Sequence, residues 1–225
     1  MGGARTETVV SGRALLFDLD GTLTDPRPGI VGCIRHALDR LGAPCPEDDV
    51  LARFIGPPLR RTFATLLATT DASRIEAAMG LYRERFGQSG LYENRVYDGI
   101  RAMLDEVRAV GPAAYVVTAK PTVYAERIVR HFALDHYFAR VYGVELDGRF
   151  DDKADLLAHV LARERLPPDG AVMIGDRAAD MMAARANGVR GIGVLWGYGS
   201  ERELREAGAD RLCAEPLALI TCLAG

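Results

Sequence analysis

Two aspartates one residue apart, Asp18 and Asp20, close the apolar run "ALLF" and are followed at once by Gly21 and Thr22. If that run is a strand, its pleat carries both carboxylates to one side and Leu19 to the other, crowding two acids onto a single sheet tip. Like-charge repulsion then demands that one acid hold a proton or that a cation stand beside the pair. Taken alone, the pair is accounted for equally well as a cap on the Gly-Thr turn.

Three further segments bear on that choice. "VVTAK" ends a second apolar run in the hydroxyl of Thr118, "MIGDRAAD" ends another in Asp176 with Asp180 one helical turn on, and Lys153 opens a helix-like segment. A buried threonine and a helix N-cap are the ordinary accounts of Thr118 and Asp176. Lys153 lies at the end of its helix where the dipole disfavours a cation, which implies a carboxylate or other anion beside it. Acids, a hydroxyl and an ammonium gathered at the strand ends of one sheet describe an anion-processing site better than separate local accounts do. Lysine usage points the same way: of 28 basic residues only two are lysine, Lys120 and Lys153, against 26 arginines. A compact ammonium does a different job from a planar guanidinium at a crowded anion. Lys120, directly after Thr118 and Ala119, is expected to reach the distal part of a substrate.

The elements that must position these groups follow from periodicity. "ALLFDLD", "AAYVVTA" (113–119), "ARVYGVE" (139–145), "GAVMIGD" (170–176) and "VRGIGVLWG" (189–197) are short apolar runs of the kind buried on both faces of a parallel sheet. Helical segments alternate with them, with Asp98 expected as an N-cap, Pro121 at the first helical position and Asn187-Gly188 as a stop. Such alternation predicts an α/β fold with a doubly wound parallel sheet. From about Pro26 to Tyr92 the rhythm fails: segments with helical spacing follow one another and no strand run intervenes. That length exceeds an ordinary connection, so an all-helical insert is expected above the carboxyl edge of the sheet, where open α/β folds bind ligands. The expected division is a core of residues 1–24 and 93–225 and an insert of residues 25–92. In the insert, Gly56, Pro57 and Pro58 make a stiff loop suited to the mouth of the core site. Arg53 or Arg60 beside it would meet a second anionic group of a substrate, against the commoner fate of an arginine on a solvated helix face.

Bulk properties exclude several classes. A chain of 225 residues buries a sizeable core without staples. Its formal charge of −3 gives no general attraction to a nucleic acid polymer or an anionic membrane. Cys33, Cys45, Cys213 and Cys222 form no Cys-x-x-Cys pair, and His36, His131, His136 and His159 have no ligand spacing, so neither zinc nor a disulfide framework is expected. No apolar run nears the roughly 18 residues that cross a bilayer, and the first dozen residues lack a signal pattern. The expectation is a cytoplasmic protein whose partner is a small molecule.

In order, "FDLDGTLTD", "VVTAK", Lys153 and "IGDRAAD" resemble the four motifs of the haloacid dehalogenase superfamily, and the helical insert resembles that superfamily's C1 cap. The resemblance implies a Rossmann-like core and a phosphomonoesterase that works through an aspartyl phosphate. It implies Asp18 as the nucleophile, and Asp20 as the acid that protonates the departing alkoxide and then the base that activates water. It implies Mg2+ held by Asp18, the Asp20 main-chain carbonyl and Asp176, with Asp180 orienting water or Lys153 from outside that shell. Thr118, Lys153 and backbone N–H groups near Leu19, Asp20 and Ala119 are implied as the phosphate cradle. Gly21 suits the sharp turn, and Thr22 either holds the Asp20 loop through its hydroxyl or fills the turn. Loss of the Lys153 ammonium is expected to reduce turnover far more than stability.

Asp20 argues against dehalogenation, and the absence of lysine from residues 24–95 argues against a Schiff-base mechanism on a phosphonate. "RFIGPPLRRTF" and "AKPTVYAERIVRHFAL" resemble the phosphoglycolate phosphatase and 5'-nucleotidase branch, which implies glycolate phosphate first and a nucleoside monophosphate second. A sugar phosphomutase, which tends to carry a histidine where this chain reads "TDPRPGI", and a non-catalytic binder of a phosphorylated ligand are the other readings. Trp196 is expected to pack on the core.

Overall fold

The structure, a computed structural model, describes residues 14–224; the first dozen residues, read above as signal-free, lie outside that range. The chain forms two compact units, one that runs to Thr24 and resumes at Val96, the other Asp25–Arg95. β1 (Ala14–Phe17) leads through a turn into β2 (Thr24–Asp25), which pairs with β3 (Arg95–Val96), and the unit boundary passes through these two short strands.

The Asp25–Arg95 unit is helical: α1 (Arg27–Arg40), α2 (Asp48–Leu51), α3 (Leu59–Leu66) and α4 (Ala72–Arg85). Ile30, Val31, Ile34, Ala37 and Leu38 recur at three- and four-residue spacing and give α1 one buried stripe, which packs on α4. Asp71 caps α4 by accepting from the Ser73 N–H at 2.9 Å, and a π turn, Phe86–Gly90, follows its last residue.

The other unit continues with α5 (Ile100–Val110), β4 (Ala113–Pro121), α6 (Thr122–His131), β5 (Arg140–Val144), α7 (Lys153–Glu164), β6 (Ala171–Gly175), α8 (Ala178–Ala186), β7 (Arg190–Val194), α9 (Glu201–Glu206), β8 (Arg211–Cys213) and α10 (Leu219–Ala224). Six strands form a parallel sheet in the order β5-β4-β1-β6-β7-β8. This is a doubly wound order whose winding reverses between β1 and β6, and ligands of such folds bind beyond the carboxyl ends at the reversal. Asp18 follows β1 and Asp176 follows β6, both at that point.

The apolar runs do not alternate because both faces of the sheet are covered. Ala14 and Leu16 pack with Val117 and Met173 against Leu156, Leu157 and Val160 of α7; Leu15 and Phe17, on the opposite side of the pleat, are buried as completely. Each such side chain contributes about 1.5–3 kcal/mol by leaving water, so the loops at the strand ends stand on a rigid base.

The strands fall where the apolar runs predict them, and β8 is added to the sheet; Arg-Leu-Cys is too short to show a period. Asp98 does not cap α5, because the left-handed Gly99 (φ 81°) occupies that position. Pro121 stands at the N-cap of α6, one place before the expected one, and Gly188 (φ 66°) follows α8 as expected. Beyond Val117, paired with Tyr142, β4 next pairs at Pro121 with Val144, so four steps of β4 face two of β5 and the stretch Thr118–Lys120 bulges. Among the described residues no helix is long and apolar enough to cross a membrane.

Candidate active site

Asp18 extends β1, donating its N–H to the Ile174 carbonyl at 2.9 Å. The chain then turns about the Leu19 carbonyl, which accepts from the N–H groups of Thr22, Leu23 and Thr24 at 3.3, 2.9 and 3.0 Å. Gly21, at φ 87°, permits this turn, and a Cβ there would lie 2.2 Å from Asp176 Oδ2. Among the described residues no hydrogen bond takes the N–H of Leu19 or Asp20.

Three buried carboxylates converge beyond that turn: Asp18, Asp176 and Asp180 each offer an oxygen within 4.8 Å of the others. Asp176 accepts from the Tyr198 N–H at 2.8 Å and from the Thr22 hydroxyl at 3.4 Å, so Thr22 reaches across to β6. Asp176 is not the helix cap; Arg177 is, and Asp180 Oδ2 accepts its N–H at 2.9 Å. Lys153, the first residue of α7, contacts Asp18 at 2.8 Å and also Asp180. Its unfavourable helix position is thus answered by two carboxylates, and Asp180 meets Lys153 while grouping with Asp18 and Asp176.

The electrostatics follow from three acids and one ammonium in a dry place. Burial pushes Asp176 well above the usual carboxylate range, with the charges of Asp18 and Asp180 adding to the rise. Burial likewise raises Asp180, to about 6, although Lys153 opposes it. For Lys153 burial works against the charge, but the two carboxylates outweigh it and its pKa rises. The surplus negative charge calls for protons or a cation, and an all-oxygen donor set fits a hard divalent ion.

Asp20 has a different partner. Its Oδ2 lies 2.7 Å from Lys120 Nζ, with the two side chains only 13% and 6% exposed. Its Oδ1 is buried without a hydrogen-bond partner. Burial raises the Asp20 pKa, Lys120 pulls it down, and the Asp18 charge adds to the rise. Both lysines of the chain therefore end on the aspartates of the first motif, Lys153 on Asp18 and Lys120 on Asp20. Lys120, expected to face a substrate, is paired inside the site. Thr118 is buried beside it, and its hydroxyl accepts the Lys120 N–H at 3.2 Å, leaving its own proton to donate. Ala119 lies between them in the bulge.

The loop after β7 supplies what the sequence reading missed. Trp196 Nε1 donates to the Thr22 carbonyl at 2.9 Å, tying this loop to the turn after β1. A Cβ on Gly197 would lie 2.4 Å from Asp176 Cβ, and one on Gly199 1.9 Å from the Asp176 carbonyl oxygen. The available signal was the Gly-Tyr-Gly run at a strand end, since glycine there marks close backbone approach. In the helical unit, Gly56 (φ 103°) is exposed in the turn before α3, Arg53 is exposed, and the exposed Arg60 is ion-paired with Glu76 of α4. These three belong to the Asp25–Arg95 unit.

Residues 15–194 match the family model described as haloacid dehalogenase-like hydrolase. A 5'-nucleotidase of Pseudomonas aeruginosa is 48% identical over 205 residues, 91% of this chain and 92% of that protein. Tyrosine-protein kinase PtkA of Mycobacterium tuberculosis is 40% identical over 189 residues, 84% of this chain but 64% of that longer protein. A phosphoglycolate phosphatase of Xanthomonas campestris is 30% identical over 188 residues, 83% of this chain and 84% of that protein. The crystal structure of a predicted phosphatase from Clostridium acetobutylicum superposes with a TM-score of 0.89 at 36% identity, covering 94% of this chain and 97% of that one. The matched span, residues 15–194, holds every strand end that carries an acid, a hydroxyl or a lysine of the site. The chain belongs to the haloacid dehalogenase-like hydrolases and is a phosphatase of that family.

Proposed function

We propose that the protein is a magnesium-dependent phosphomonoesterase that carries the phosphoryl group of a small metabolite on Asp18. The observation that supports this most is the separate pairing of the two first-motif aspartates, Asp18 with Lys153 and Asp20 with Lys120, which suits two carboxyl groups to two tasks. An Asp18 oxygen attacks phosphorus in line; the ester P–O bond breaks, and Asp20 gives its proton to the departing oxygen, releasing the alcohol. Asp20, now a carboxylate, takes a proton from water as that water attacks the aspartyl phosphate, returning inorganic phosphate and free Asp18. Lys153 keeps Asp18 oriented and offers positive charge, while the Thr118 hydroxyl and the N–H groups of Leu19, Asp20 and Ala119 hold phosphoryl oxygens. Asp18, Asp176 and the Asp20 carbonyl would hold Mg2+, which when bound supplies further charge to the phosphoryl oxygens.

The helical unit takes the part of the family's cap domain in this reading. A nucleoside 5'-monophosphate is favoured over phosphoglycolate, because the relative named a 5'-nucleotidase matches at 48% identity and the one named a phosphoglycolate phosphatase at 30%. The free cysteines Cys33, Cys45, Cys213 and Cys222 are in keeping with a reducing cytoplasm. The test is a phosphate-release panel of nucleoside 5'-monophosphates, phosphoglycolate and sugar phosphates, with magnesium or with chelator. Inorganic phosphate should appear with magnesium, fall to background with chelator and return when the ion is restored. A flat response to chelator removes the metal, and silence on every ester removes the esterase. A requirement for a sugar bisphosphate would instead mark a mutase.

Metal-free stability should carry the signature of Asp180. Its folded pKa of about 6 exceeds the usual 3.8, so between those values the folded protein keeps a proton that the unfolded chain has released. Stability from this group is therefore fullest at the acid end, falls as pH rises through the window and stays low above it. Burial, with the Asp18 charge adding to it, is what raises the Asp180 pKa; a cation bound in the cluster stabilises the ionised carboxylates in place of that proton, so the magnesium gain in melting temperature is expected to be larger at about pH 7.5 than at about pH 5. Equal gains in thermal melts at both pH values would count against the cluster as the metal site.

A further inference from the structure

We propose that Lys120 is a positioning residue: it ties down one oxygen of Asp20, leaves the other to carry the reaction's proton, and so sets which phosphate esters can be cleaved. The inference rests on the reading of Asp20 as the acid and base of the reaction.

The two oxygens of Asp20 are not equivalent. Oδ2 is held by Lys120 Nζ at 2.7 Å, and Oδ1 is buried with no hydrogen-bond partner. An ammonium has three donors and no acceptor, so the proton of a neutral Asp20 has no place on the oxygen facing Lys120 and sits on Oδ1. An arginine at this position would present a fork able to engage both oxygens at once. That is a physical reason for a lysine here in a chain with 26 arginines and two lysines.

The fold delivers this lysine by a local irregularity. The β4 bulge sets four steps against two of β5, and the Lys120 N–H turns back onto Thr118 Oγ1 at 3.2 Å. Opposite the bulge stands Gly143, where a Cβ would lie 2.2 Å from the Lys120 carbonyl oxygen and 2.8 Å from the Thr122 nitrogen. Without that glycine, β5 would push the bulge, and with it the anchor of Asp20, out of place.

The experiment compares two ester classes by kcat/KM. An alkyl phosphate expels a strongly basic alkoxide and needs the proton from Asp20, whereas p-nitrophenyl phosphate expels a weakly basic phenolate that can leave without one. Because kcat/KM reports only steps up to departure of the alcohol, the shared hydrolysis of the aspartyl phosphate does not blur the comparison. Lys120→Met should lose about 10²-fold or more on the alkyl ester and less than about 10-fold on the aryl ester. Lys120→Arg should show the same bias. In the Asp20→Asn background, Lys120→Met should cost nothing further on the alkyl ester, because Lys120 acts through Asp20. The double variant removes both charges together, so it carries the test even where Lys120→Met alone does not fold. Equal losses on the two esters, or losses that add in the double variant, overturn the role of Lys120 while the esterase reading stands. Wild-type protein inactive on both esters overturns the esterase reading and this one with it.

Discussion

Asp18→Asn is expected to reduce phosphate release from every ester by about 10⁴-fold or more, the scale on which an enzyme loses its nucleophile, while the protein stays folded. The amide keeps the shape of the carboxylate but has no charge with which to attack phosphorus. Its effect on stability has the opposite sign from most buried polar changes. Asp18 is one of three acids sharing a space in which its own charge helps push up the pKa of Asp176, so neutralising it relieves repulsion, and Lys153 keeps Asp180 as a partner. In chelator the variant should melt no lower than its parent. Acid-quenched enzyme mixed with radiolabelled ester should yield a labile acyl phosphate from the parent and none from the variant. Turnover within tenfold of the parent would remove Asp18 from its role.

Lys153→Met should hurt both activity and folding. Removing a positioned charge from the phosphoryl site costs about 10²–10³ in turnover. From the sequence, turnover is expected to fall far more than stability; the burial of Lys153 against two carboxylates gives stability a large share as well. Lys153 is buried and touches both Asp18 and Asp180, so its loss leaves uncompensated carboxylates in a dry site, at a cost of about 3–5 kcal/mol. The deficit should be largest near neutral pH and shrink in acid, where protons replace the missing ammonium. Urea unfolding in chelator at about pH 7 and about pH 5 reads both terms. A variant as stable as its parent at both values would mean that Lys153 is not the counter-charge of this cluster.

The strand ends were legible because strands buried on both faces cannot hide their boundaries: "ALLF" stops at Asp18 and "AVMIG" at Asp176. The lysine at the wrong end of α7 announced an anion, and the anion proved to be two carboxylates. The partner of Lys120 was not legible, since it depends on a bulge whose existence is fixed by the register with β5 and by the space at Gly143. Nor was the tie between Trp196 and Thr22, which joins positions remote in sequence. Asp98 fits a cap by residue type alone, whereas Gly99 holds the place because the backbone there is left-handed. The pairing of Arg60 with Glu76 was not legible either, since it joins side chains of two different helices.

Because the chain has only two lysines and both are enclosed, its folded exterior offers acylating reagents no side-chain amine. Any amide-linked label on a side chain must therefore have entered at the tip of the sheet, where both lysines lie, and silenced the molecule that took it. Counting labels against denaturant would therefore time the opening of that tip directly, without a reporter of any other kind.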